Sequence, residues 1–133
     1  MATFEVEDVA DRIDVRCMAG RPFELFVPVN YGTGDPVPAV NMSSARAHIR
    51  AAIDDPQVYH VFSTDDEDPD AELSDGGVTF TAPPETTSLW ATEWPGRAPE
   101  TTMWWDVEVT DVDGTPRQIT IPGTFTVVHE VTR

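Results

Sequence analysis

Polar and apolar residues alternate one by one along much of this chain, and the alternation is cleanest between Met103 and Thr132. There Trp105, Val107 and Val109 fall on one side, with Trp104, Asp106, Glu108 and Thr110 on the other. Successive side chains of a β-strand point to opposite faces, so this period of two predicts a half-buried strand. Asp113-Gly114 supplies a turn, because glycine tolerates positive φ. A return strand alternates through Ile119, Ile121, Phe125 and Val127, and Pro122-Gly123 interrupts it as a bulge or bend.

The same period recurs upstream. Ile13, Val15 and Cys17 alternate with Asp14 and Arg16, and Ala19-Gly20-Arg21 makes a turn. Phe23, Leu25, Val27 and Val29 form the next strand, where Pro28 suits an edge because it cannot donate to a ladder. Residues 31–41 hold two Gly and two Pro and read as a loop. Ala45, Ala47, Ile49 and Ala51 alternate with Arg46, His48 and Arg50, predicting a strand with its small residues inward and its Arg toward water. Val58–Phe62 is its partner, reached through Asp54-Asp55-Pro56. Thr64–Asp75 carries seven acids in twelve residues and reads as a solvated loop. Val78–Thr81 is a further strand. Pro83-Pro84-Glu85 opens a helical turn that runs through Trp90. The tally is about seven or eight short strands and one short helix, which predicts an all-β, immunoglobulin-like antiparallel β-sandwich over 12–133. Residues 1–11, which mix acids with Phe4, Val6 and Val9, read as an N-terminal arm.

Charge narrows the partners. The 133 residues carry 24 Asp and Glu against 8 cations, a net charge of −16, and every cation is Arg. Phosphate binding needs Lys and Arg to displace counterions, so nucleic acid is excluded as a partner, and an anionic membrane surface with it. Solubility and docking on a protein partner fit the balance better. The single Cys17 forms no internal disulfide, and no apolar run approaches the length of a membrane span. The opening segment is acidic, unlike a signal peptide.

Catalytic and metal-binding patterns are absent from the sequence. A Ca²⁺ loop of the EF-hand kind needs Gly at its sixth position, where counting from Asp65 or Asp66 gives Asp70 or Ala71. His48, His60 and His129 show no paired spacing for zinc. No serine lies in a G-x-S-x-G context, and Gly32-Thr33-Gly34 runs into Asp35, which repels phosphate. No enzyme activity, cofactor or metal is expected. The remaining signal is aromatic. Trp90, Trp94, Trp104 and Trp105 cluster in the last third, and adjacent Trp104 and Trp105 must point to opposite faces of their strand. One enters the core; the other lies on the outer face or in an interface.

Read together, these segments resemble a β-sandwich domain family of tailed-phage virion proteins. That family includes the N-terminal attachment domains of baseplate upper proteins, tail-fibre proteins of the LtfC type and small stand-alone virion proteins of actinobacterial phages. The resembling segments are Gly77–Thr81, the short helix after it, Trp105–Asp111 with Asp113-Gly114, and Gly123–Val127 with Glu130–Arg133. Asp14–Arg16, Gly20, Phe23 and Ser44–Arg50 are similar to its opening and middle strands. The acidic stretch at 64–75 and the long loop at 94–101 depart from its pattern. The resemblance implies a non-enzymatic virion structural protein, located in the virion. It would be a capsid decoration or accessory protein bound to the major capsid protein or another virion protein, and a homo-oligomer such as a trimer. The alternatives are a tail or baseplate accessory and a carbohydrate-binding β-sandwich with a Trp platform. The contact candidates are Phe4, Val6, Trp90, Trp94, Trp104, Asp66 and Asp68.

Overall fold

The computed structural model describes residues 11–31, 33–65, 67–95 and 99–129. The strands, in chain order, are β1 Asp11–Arg12, β2 Val15–Met18, β3 Phe23–Pro28, β4 Met42–Arg50, β5 His60–Ser63, β6 Ala71–Ser74 and β7 Gly77–Ala82. Helix α1 spans Pro84–Glu93, and β8 Glu100–Asp111, β9 Pro116–Gln118, β10 Thr120–Ile121 and β11 Gly123–Val128 complete the set. The arm boundary expected at residue 11 therefore falls inside β1.

Two sheets face each other. The larger runs β2-β11-β8-β4-β5, with β9 continuing the β8 pairing, and the smaller runs β3-β7-β6. A sheet with one apolar face must bury it against another layer, and these two do so as an immunoglobulin-like sandwich. Most ladders are antiparallel. The exceptions are β2 on β11 and β1 on β10, which are parallel and place the start of the domain beside its end. Pro28 lies on the edge strand β3, as its missing N–H requires.

The long hairpin holds its predicted faces. Trp105, Val107 and Val109 are buried, while Trp104, Asp106, Glu108 and Thr110 are half-buried on the outside. Gly114 takes φ +84 in the turn. The return strand detaches after Gln118 and rejoins β8 at Gly123, which pairs with Trp105. Between those points the Ile119 N–H donates to the Val107 carbonyl and the Thr120 hydroxyl accepts from the Val107 N–H. The Pro122-Gly123 interruption thus re-aims the strand without abandoning its partner.

The acidic stretch is a correction. Ala71–Ser74 is not loop but strand β6, paired with β7 in the register Ala71↔Phe80 to Ser74↔Gly77. Asp70 anchors its entry: one carboxylate oxygen accepts the Ser63 N–H at 2.8 Å, and the other lies 3.2 Å from His60 Nε2. Ala71 is buried and Leu73 half-buried, so a strand with only two apolar residues is held by its neighbours more than by its own sequence.

Seven rings fill the middle. Phe125 lies within 5.4–6.2 Å, centroid to centroid, of Phe23, Phe62, Trp90, Trp94 and Trp105. Phe80 extends the cluster to Phe62 and Trp105. Helix α1 supplies two of these rings. Trp90 and Trp94 are four apart, so they share a face, and their rings stack at 4.9 Å. Pro84 occupies the first turn, where its missing N–H is harmless. Thr87 ties the helix to the β2–β3 turn: its hydroxyl accepts the Gly20 N–H at 3.0 Å and donates to the Arg21 carbonyl at 2.8 Å.

Asp111 closes the hairpin end. Its side chain is buried and accepts from the Thr115 and Asp113 N–H groups and from Arg117 Nε. Burial opposes its ionisation, but the Thr115 N–H, the Arg117 guanidinium and the Asp113 N–H together outweigh burial and hold the carboxyl below the usual aspartate value. A carboxyl with a depressed folded pKa stabilises the fold above its unfolded value, and that stabilisation is lost as pH falls through the folded value. The Asp111→Asn variant is therefore expected to be less stable than wild type at pH 7. The gap should stay constant down to about pH 4, the ordinary aspartate range, and close below it. Urea denaturation of both proteins at pH 7, 4 and 3 measures this, and a gap independent of pH would show that ionised Asp111 is not what holds the turn.

Candidate docking face

On the outer surface of the large sheet one contact residue predicted from sequence, Trp104, lies among Arg side chains. Alternation along β8 and β4 turns Trp104, Asp106 and Glu108 outward beside Arg46, His48 and Arg50. Register then sets the pairs. Arg46 stands opposite Glu108, His48 opposite Asp106, and Arg50 opposite Trp104. Arg46 pairs with Glu108 directly across the ladder at 3.6 Å, and Arg50 reaches Asp106 diagonally at 4.0 Å. At the other side of the sheet Arg16 meets Glu100 at 2.7 Å, and Arg12 bonds Asp14 at 2.9 Å while lying 5.4 Å over the Trp104 ring.

Two titratable groups on this face are tuned by it. Burial, followed by repulsion from Arg50, pushes the His48 imidazole below its usual value, so it is neutral at pH 7. The Thr124 N–H and then Arg12 hold the Asp14 carboxyl below the aspartate range, so it is ionised. Thr102 and Thr126 hydroxyls bond each other at 3.2 Å between the two ion-paired zones. Exposed ion pairs of this kind add little to stability. Their larger consequence is the distribution of charge. Four Arg and four carboxylates occupy this face, which leaves four Arg and twenty carboxylates for the rest of the chain. The face is electrically balanced, and the net charge of −16 lies elsewhere.

Of the contact residues predicted from sequence, the structure places Trp104 on this face, half-buried beneath Arg12. Trp90 and Trp94 are corrections. They are 3% and 5% exposed, inside the ring cluster, so neither offers a contact surface or a sugar platform. Their helix turns that face inward because Phe23, Phe62 and Phe125 complete the cluster beneath it. Asp68 is exposed on the loop leading to β6. Phe4, Val6 and Asp66 lie outside the described residues.

Arg12, Arg46, Arg50, Asp106 and Glu108 were not singled out by sequence reasoning. The outward alternation of Arg46 and Arg50 was legible; their carboxylate partners required the β4–β8 register. Among the described residues, no group of three or more His, Cys, Asp or Glu is arranged to hold a metal, and no helix is long and apolar enough to cross a membrane. Cys17 is buried, and that burial raises its thiol to about 11, so it is protonated and unreactive at neutral pH. No protein-family model matches the chain, and no curated protein matches it.

Proposed function

We propose that this chain is a non-enzymatic structural protein of a tailed-phage virion, a capsid decoration or accessory protein that docks by the outer face of its large sheet. The observation that carries the reading is the charge balance of that face around Trp104. A molecule with a net charge of −16 is repelled by acidic surfaces through most of its own surface, and a balanced face is where close approach is least opposed. A half-buried Trp ringed by paired charges has the composition of an interface anchor with a polar rim. The resemblance of the strands and turns to phage attachment domains supplies the class of partner, the major capsid protein or another virion protein. Many such contacts repeated over a symmetric shell would gain by avidity, so each need only be weak.

Co-sedimentation of the purified chain with separated heads and tails of the encoding phage tests this. Saturable binding to heads is expected. Binding to tails alone would move the protein to the adsorption apparatus, and binding to neither would overturn the reading. A full-length Trp104→Glu/Arg46→Glu variant is expected to bind about 30-fold more weakly, the loss typical of a hot-spot anchor. Its far-UV circular dichroism should match wild type, because both side chains point out of the sandwich. Unchanged binding would move the docking surface off this face.

A further inference from the structure

The outer face of the small sheet is finished differently from that of the large one. Alternation turns Glu24 and Phe26 of β3, Thr79 and Thr81 of β7, and Glu72 and Ser74 of β6 outward. Register puts three of them in one row, with Phe26 opposite Thr79 and Thr79 opposite Glu72. With ~4.8 Å between strands, Glu72 stands roughly 10 Å from Phe26, and Glu24 lies ~7 Å from it along β3. Phe26 is 47% exposed. Its ring reaches over Gly77, where an added Cβ would sit 2.5 Å from Cζ and 2.9 Å from Cε1. The ring thus lies along the sheet over a position without a side chain, and it is open to water. Every charged residue of β3, β6 and β7 is a glutamate. On the large sheet Asp106 and Glu108 are answered by Arg50 and Arg46. Among the described residues, Glu24 and Glu72 form no ion pair and the Thr79 and Thr81 hydroxyls no hydrogen bond; Arg21, the nearest cation to Glu24 along the chain, is not paired with it. A hollow of about 180 Å³ beside the row is lined by Pro69, Ala71, Glu72, Thr79 and Thr81.

We propose that this face binds an arginine-bearing segment of a partner protein, with a guanidinium seated on the Phe26 ring between Glu24 and Glu72. An open aromatic face attracts a cation. A guanidinium is planar, so it stacks on the ring, and its five N–H groups only donate, which suits a surround of carboxylate and hydroxyl oxygens. The hollow beside Thr79 and Glu72 offers the same acceptors to a second donor group of the segment. Charge selects against the other classes. An acidic segment meets two unanswered glutamates, and an apolar one would bury them without a partner. The net charge of −16 draws basic segments toward the molecule, and on this face no cation of β3, β6 or β7 competes for the carboxylates. The two outer faces of a sandwich point in opposite directions. The contact therefore uses neither Trp104 nor the balanced face, and it stands independently of the docking reading.

Titration of the isotope-labelled full-length chain with a blocked peptide of alternating Gly and Arg, followed by amide chemical shifts, tests the proposal. Saturable shifts are expected at Glu24, Phe26, Glu72 and Thr79, and none with the matching peptide of Gly and Gln. Phe26→Ala and Glu24→Gln/Glu72→Gln should each weaken binding about tenfold, with far-UV circular dichroism unchanged. If Phe26→Ala loses its fold, the glutamine pair, which keeps the shape of both side chains, decides alone. Asp54→Asn/Asp113→Asn removes the same amount of charge from exposed loops and should change the affinity by less than about twofold. No saturable shift, shifts confined to the large sheet, full affinity in a folded Phe26→Ala, or equal losses in the two charge-removing variants would each overturn the site. Spermidine is the remaining arm. Weaker binding than the peptide is expected, and the same shifts at equal affinity would make the ligand a free polyamine and overturn the protein segment.

Discussion

Trp105→Ala is expected to destabilise the protein by ~3–5 kcal/mol, enough to remove a large part of the stability of a domain this size. Trp105 is 2% exposed, and its ring packs edge-on against Phe80 at 5.9 Å and Phe125 at 5.5 Å. Truncation leaves a cavity at the junction of the two sheets, and rings fixed by one another relax poorly into it. The indole makes a second contribution. Its Nε1 donates to the Ile13 carbonyl at 2.8 Å, linking β8 to the segment between β1 and β2. Trp105→Phe keeps most of the apolar contact and removes that bond, so it should lose about 1–2 kcal/mol. Trp104 is the control one residue away. Its ring lies outside the sandwich, and Trp104→Ala should change stability by less than about 1 kcal/mol. Urea denaturation of the three variants checks the order. Equal losses at positions 104 and 105 would mean that the faces of β8 are assigned the wrong way round.

That pair of tryptophans also marks how far the sequence carries. Period-two alternation is a local signal, and it located β2, β3, β4 and β8 with the faces of each, while β7 was read only as a strand. It separated Trp104 from Trp105 because a strand fixes the direction of neighbours. Trp90 and Trp94 had no such constraint in the sequence. Their spacing gives a shared helix face, and only the packing of α1 over Phe23, Phe62 and Phe125 says that the face is inward. Strand β6 was hidden for a related reason. Glu72 and Ser74 point out beside Asp70 and Asp75, so composition reads as solvated loop, and the pairing with β7 decides otherwise. The parallel joining of β2 to β11 is a contact over more than a hundred residues, which no local pattern encodes. The balanced face needed the β4–β8 register in the same way: the alternating Arg and the alternating acids were each visible, and their opposition was not.

Gly123→Ala is expected to cost about 3 kcal/mol, although it adds a single methyl group. An added Cβ would sit 2.3 Å from the Ile13 carbonyl oxygen, 2.9 Å from its carbonyl carbon and 3.1 Å from an Asp14 carboxylate oxygen. The nearest two are backbone atoms, so no side-chain rotation relieves the contact. The segment must move, and it carries two bonds with it. One is the Trp105 indole bond to Ile13; the other is the Thr124 N–H, which donates to Asp14 at 2.8 Å. The first step of β11 and the approach to β2 therefore come this close only because position 123 carries no side chain. This makes a specific prediction about coupling. If Gly123→Ala acts by displacing the Ile13 carbonyl, the indole bond is already lost, and Trp105→Phe should add little in that background. A double-mutant cycle in urea would then give a combined loss smaller than the sum by about 1 kcal/mol. Strict additivity would show that the backbone yields without disturbing the indole bond, and the close approach of Gly123 to Ile13 would then matter for β11 alone.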